Sequence, residues 1–241
     1  MFDKALKYSY ADKKNLAAKR RGLVFIVLLF FVIYILITNL FFSMRVLENS
    51  SMLPSLNHGD RFIFSSTSIK RGLPDVPFLD TMPAERGSIV LINRNIYKNY
   101  GVIKVILNKF VRFFSANKIG LPGVEEQVFI KRVIALPGDT ISMNNYVLRV
   151  QPAGNEYTFT EFELSDKLYE VNIPEVPALW DEALPFSGNM GKTILGGNEF
   201  FVLSDDRGNT NDSRTWGPIP AAFIRGNAVL RYWPLNKIGF P

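Results

Sequence analysis

Val128-Phe129-Ile130-Lys131-Arg132-Val133-Ile134-Ala135-Leu136 reads as a β-strand, being β-branched and apolar almost throughout and closed by the turn signal Pro137-Gly138-Asp139. Side chains alternate across a strand, so Lys131 shares a face with Phe129, Val133 and Ala135, and Arg132 shares the other with Ile130 and Ile134. Both faces are apolar. At least one basic head is therefore expected among hydrocarbon, where desolvation disfavours the ammonium and lowers a lysine's pKa. An amine that is neutral near pH 7 can take a proton from a hydroxyl. Taken by itself, the strand also fits a pair at the sheet margin whose heads reach water past their apolar stems.

The hydroxyl for such a base is sought upstream, in Asn49-Ser50-Ser51-Met52-Leu53-Pro54-Ser55-Leu56. Ser51 is the candidate nucleophile. A serine needs a nearby base, usually histidine, sometimes lysine. The one histidine, His58, lies in a His-Gly-Asp turn that points it at solvent. The chain has no cysteine, which excludes thiol catalysis and Cys-ligated zinc. Lysine is left, and Lys131 is the one set apart by its surroundings.

Four segments in order, SMLPSL from Ser51, Arg86-Gly87-Ser88-Ile89-Val90, FIKRVIALPGDTI from Phe129 and LSDDRGNTNDSRTWGPIP from Leu203, resemble the motif set of type I signal peptidases. The resemblance runs over residues 49–233 with unlike segments between. It implies Ser51 as nucleophile and Lys131 as general base, in agreement with the residue reading. It also implies that the hydroxyl of Thr210 orients the lysine and that Asp212, Ser213 and Arg214 support the site. The chain has Thr210 where the family often has Ser, Ser88 where Asp is usual, and Ser204, Asp206 and Gly208 where Gly, Asn and Asp are frequent. In some relatives a serine two residues before the nucleophile donates to the oxyanion; here that position is Asn49, whose amide is expected to replace it. No cofactor or metal is implied.

The organisation follows from composition. The 241 residues carry a formal charge of +6, enough chain for an anchor and one sizeable domain. Residues 1–21 hold Lys4, Lys7, Lys13, Lys14, Lys19, Arg20 and Arg21 against Asp3 and Asp12, a basic tail that stays cytoplasmic by the positive-inside rule. Within 22–43, the run 23–42 has only Thr38 and Asn39 clearly polar and matches the roughly 30 Å of membrane hydrocarbon. It lacks the short apolar centre and small-residue exit of a cleaved leader, so an uncleaved single anchor is expected, with Ser51 outside and close to lipid. Nucleic acid is not expected as a partner of the basic tail, because the apolar run gives it an orienting role.

Beyond the anchor, residues 44–150 are expected to form the first part of a catalytic core and 199–241 the second. Strands are expected at 61–64, 88–92 and 228–234, a loop at 65–83, and a two-residue hairpin turn at Asn144-Asn145. Residues 101–118 interleave Phe110, Phe113 and Phe114 with Lys104, Lys109, Arg112 and Lys118, as either an interfacial amphipathic helix or one packed on the domain. Residues 151–198, with Glu156, Glu161, Glu163, Asp166, Glu170, Glu175, Asp181 and Glu182 against Lys167 and Lys192, read as an acidic inserted outer subdomain.

The expected fold is thus mainly β: an antiparallel Ser-Lys peptidase core with an inserted subdomain on one N-terminal transmembrane helix. The function implied is removal of signal peptides from exported preproteins after small residues of the Ala-x-Ala type. Preprotein signal peptides and membrane lipid are the expected partners, near the export translocon at the outer face of a bacterial cytoplasmic membrane. Two other readings fit the residues: a tethered β-domain that binds signal sequences without cutting, and a self-cleaving repressor-type Ser-Lys peptidase. The anchor and the lack of a DNA-binding segment argue against the second.

Overall fold

In a computed structural model, residues 10–40, 42–66, 84–94, 103–104, 107–108, 110–111, 119–123, 127–175 and 188–241 are described. The strand around Lys131 is β4 (Val128–Ala135), and it runs through the middle of a seven-stranded sheet. The sheet comprises β1 (Phe42–Val46), β2 (Arg61–Ser66), β3 (Ile89–Asn93), β4, β9 (Glu199–Leu203), β10 (Ile219–Pro220) and β11 (Ile224–Trp233), in the order β1-β2-β11-β3-β4-β9-β10. Every pairing is antiparallel. A second sheet, in the order β7-β6-β5-β8, contains β5 (Thr140–Asn144), β6 (Val147–Gln151), β7 (Phe159–Thr160) and β8 (Met190–Ile194).

The sequences explain the central strands. IVLIN, VFIKRVIA and EFFVL are β-branched and aromatic on both faces, as strands covered on both sides require. Ile134 and Ala135 enter one cluster with Ile141, Leu148, Val150 and Phe201; Ile130 enters another with Met52, Phe62 and Leu91; Val133 enters a third with Val90, Phe200 and Val202. One strand thus feeds three cores. The β4–β9 ladder shifts register between Val133 and Ala135, which explains why neighbours Ile134 and Ala135 serve the same cluster.

Two sequence expectations move. Ser65 and Ser66 belong to β2, so the expected loop begins later, and its remainder at 67–83 lies outside the described residues. The hairpin turn is Asn145-Tyr146, one residue beyond Asn144-Asn145, with both φ angles positive at 49° and 65°. A tertiary contact overrides the Asn preference: Tyr146 is buried, its N–H donates to the Gly188 carbonyl at 2.8 Å, and its ring lies where a Gly188 side chain would stand.

The chain divides into two units by internal contacts, residues 1–38 with 100–125, and 39–99 with 126–241. The first contains most of α1 (Tyr10–Leu40), which begins inside the basic segment. There Phe31 meets Phe110 edge-on at 5.0 Å, and the Asn108 side-chain oxygen accepts from the Leu121 N–H at 2.8 Å. Side chains of α1 are described for residues 15–34, and among the described residues no helix is long and apolar enough to cross a membrane. Residue 41 of the expected span, residues 1–9 of the tail and most of 101–118 lie outside the described residues.

Candidate active site

Lys131 and Arg132 are both buried, 1% and 3% exposed, so neither head reaches water as a margin placement would have it. Their surroundings differ. The Arg132 guanidinium makes a two-pronged bond to Asp205, Nε to Oδ1 at 2.8 Å and Nη2 to Oδ2 at 2.6 Å, while Nη1 donates to the Gly87 carbonyl at 2.7 Å. It also lies 4.0 Å over the Tyr169 ring. Gly87 has φ +77°, and a side chain there would collide with the Ser165 hydroxyl, so only glycine lets its carbonyl reach Arg132. Arg132 is a charge with a full set of partners.

Among the described residues Lys131 has one: Nζ donates to the Ser204 hydroxyl at 2.7 Å. Burial lowers its pKa to about 8, with Asp212 pulling it upward, Arg214 downward, and Asp205 and Asp206 upward. Desolvation wins over the carboxylates. At a pKa of about 8, roughly a tenth of the amine is neutral at pH 7, against under a thousandth for an ordinary lysine.

Ser51 is equally buried, at 1%. The segment Ser204-Asp205-Asp206 links the lysine side chain to the serine backbone, since Ser204 holds the lysine and the Asp206 N–H donates to the Ser51 carbonyl at 3.1 Å. Met52, beside the serine, and Ile130, beside the lysine, share one apolar cluster. The Ser51 hydroxyl donates to Asn49 Oδ1 at 2.8 Å, and the Ser51 N–H donates to the same oxygen at 3.2 Å. An N–H needs an acceptor, so the amide oxygen, not its NH₂, faces the serine. Sequence reading expects the NH₂ end there. Among the described residues no hydrogen bond joins Ser51 directly to Lys131.

The other expected residues form a clasp. Asp212 caps α2 (Ser213–Trp216), accepting from the Arg214 N–H, and its Oδ2 accepts from the Ser204 N–H at 2.9 Å. Arg214 grips Asp212 through Nε at 3.0 Å and Nη2 at 2.8 Å, and donates to the carbonyls of Arg207 at 2.7 Å and Asn209 at 2.6 Å. Burial alone would raise the Asp212 pKa, yet the Arg214 bonds and charge, with the Ser204 and Arg214 N–H groups, hold it below the ordinary value. Ser213 Oγ accepts from the Val202 N–H at 3.1 Å, tying α2 to β9. Thr210 contributes its carbonyl, to the Asp212 N–H at 2.8 Å and the Thr215 hydroxyl. The bond expected from its own hydroxyl to the lysine is made by Ser204 instead. His58 is exposed and lines a shallow cleft with Asn57, Asp60, Trp233 and Lys237.

Residues that sequence reading passed over complete the surroundings. Glu161, assigned there to an acidic outward surface, is 2% exposed and pairs with Arg207, at 0%. It also accepts from the Tyr169 hydroxyl at 2.8 Å and the Leu148 N–H at 2.9 Å. Residues 170–172 brace the loops that carry Ser51 and Ser204: the Glu170 carbonyl accepts from Ser55 Oγ at 3.1 Å, and Asn172 exchanges backbone bonds with Asp205 and Arg207. The one available signal was the pairing of a basic residue, Arg207, with an otherwise unexplained turn-rich motif.

Residues 20–233 match the family model described as Signal peptidase, peptidase S26. The chain is 28% identical to Signal peptidase I of Leptolyngbya laminosa over 81% of this chain and 70% of that one. It is 27% identical to Signal peptidase I of Bacillus caldolyticus, over 83% and 84%. Thylakoidal processing peptidase 1, chloroplastic, of Arabidopsis thaliana is 27% identical over 80% of this chain and 43% of its own.

Proposed function

Because the chain belongs to the signal peptidase family, peptidase S26, and is a serine peptidase, we propose that it removes N-terminal signal peptides from exported preproteins, cutting after Ala-x-Ala-type sites with Ser51 and Lys131. The observation that carries the reading is a buried lysine with a neutral hydrogen-bond partner, Ser204, and a pKa of about 8, joined through Ser204-Asp205-Asp206 to a buried serine. Neutral Lys131 takes the Ser51 proton as Oγ adds to the scissile carbonyl. The ammonium then protonates the departing amine, leaving an ester on Ser51. A water that gives its proton to Lys131 attacks the ester, and Ser51 leaves with that proton.

The Ser51 N–H is the first oxyanion donor. A substrate carbonyl arriving there displaces Asn49 Oδ1, and the amide, turned by half a rotation, offers its NH₂ as the second. The apolar run at 23–42 behind a basic tail supports a single-pass anchor with the catalytic part outside a bacterial cytoplasmic membrane, beside lipid and the export machinery. The test is a preprotein with an Ala-x-Ala site, incubated with the detergent-solubilised chain. Wild type releases the mature N-terminus directly after the second Ala, whereas Ser51→Ala binds and does not cut. Binding without cutting by correctly folded wild type would support the tethered binding domain instead.

A further inference from the structure

We propose that Ser204 is the positioning residue for Lys131, doing in this chain what the resemblance assigns to Thr210. The assignment rests on the Ser-Lys reading above. A lysine side chain has four rotatable bonds, and a buried one holds a fixed aim only if its head is tethered. Among the described residues the tether is the Ser204 hydroxyl, 2.7 Å from Nζ and 0% exposed.

Ser204 is itself fixed by backbone. It follows Leu203, which pairs with Arg132 across the β4–β9 ladder, so it stands beside Lys131 in register. Its N–H is held by Asp212, which Arg214 grips. The tether is thus the end of a chain running Arg214, Asp212, Ser204, Lys131, which uses two of the three expected supporting residues, Asp212 and Arg214. Among the described residues the Thr210 hydroxyl makes no bond to the lysine, and the residue contributes its carbonyl, to Asp212 and Thr215. A hydroxyl is the right group chemically: one N–H of the neutral amine is taken while its lone pair stays free for the Ser51 proton. A carboxylate in the same place would hold the amine charged. The departure from the family's frequent Gly at this position then has a purpose, since glycine has no hydroxyl to offer.

The experiment uses the full chain in detergent with an Ala-x-Ala preprotein, reading kcat, KM, pH profile and thermal midpoint for Ser204→Ala, Ser204→Cys and Thr210→Val. For Ser204→Ala and Ser204→Cys we expect kcat to fall roughly 10- to 100-fold with KM nearly unchanged, as mis-aimed catalytic groups do. The acidic limb of Ser204→Ala should move to lower pH, because the ammonium has lost its acceptor. Thr210→Val should lose less kcat than either Ser204 variant. Cysteine conserves volume, so it decides the matter if the alanine variant folds poorly. Wild-type kcat in Ser204→Cys, or a large loss in Thr210→Val at unchanged thermal midpoint, would overturn the assignment. Ser51→Ala and Lys131→Ala run alongside: cleavage by either refutes the Ser-Lys reading itself, whereas inactivity of both beside an active Ser204→Cys refutes only the role of Ser204.

Discussion

Lys131 and Arg132 are consecutive, equally buried and chemically opposite in fate. The planar guanidinium finds two carboxylate oxygens and a carbonyl and remains a charge; the amine finds one hydroxyl and is pressed toward neutrality. Geometry around each head, not the residue type alone, pairs one with a carboxylate and leaves the other fit for the base proposed above. Asn49 carries its own expectation. If its amide turns to meet the oxyanion, Asn49→Ala lowers kcat by about 10²-fold with little change in KM. Steady-state kinetics on one preprotein measure this, and a wild-type kcat would leave the Ser51 N–H without that helper. The burial of Lys131 was legible from sequence because a strand that is apolar on both faces leaves its lysine little route to water. The orientation of the Asn49 amide was not, since it depends on which neighbour offers a donor. Nor was Ser204, whose role depends on the register between two strands far apart in sequence.

Among elements, β4 was legible in full because a strand covered on both faces has a continuous apolar run with a turn at its end. The hairpin at Asn145-Tyr146 slipped by one residue because a contact with Gly188, distant in sequence, outweighs local turn preference. The acidic segment misled in one respect. Counting charge treats every carboxylate as solvated, but Glu161 lies under the catalytic motif as the partner of Arg207, with Tyr169 between it and Arg132. Burial, then the Glu161 charge, raises the Tyr169 hydroxyl's pKa well above its usual value, so Tyr169 serves as a donor and not as an acid. Glu161→Ala leaves the Arg207 charge buried and unpaired, for a loss of about 3–5 kcal/mol in unfolding free energy. Denaturant melts of Glu161→Ala and of Glu161→Ala/Arg207→Met measure it, with the double variant recovering much of the loss. Equal losses in both would mean that packing, not the pair, carries the contribution.

The whole molecule bears a cost for its base. A lysine pKa of about 8 against a usual 10.5 amounts to about 3 kcal/mol when the amine is protonated in the fold. The folded value is the lower one, so below about pH 8 both folded and unfolded chains hold the proton and the penalty is fully present. Between about 8 and 10.5 the folded chain releases it first and stability rises with pH. Lys131→Met should therefore melt higher than wild type at pH 7, by a margin that narrows above pH 8; a margin independent of pH would place the gain in packing. The membrane reading has an equally direct consequence. Carbonate-washed membranes should retain wild type and release a chain carrying Leu29→Arg and Val32→Arg, whereas release of the wild type would contradict an integral anchor.

The dyad itself is tested most directly by kcat/KM against pH for cleavage of one Ala-x-Ala preprotein, with Ser51→Ala and Lys131→Ala as controls. Neutral Lys131 as the base predicts activity that rises with pH, reaches half its plateau at about pH 8, and vanishes in both variants. Activity in Lys131→Ala, or a wild-type profile flat across that range, would contradict it.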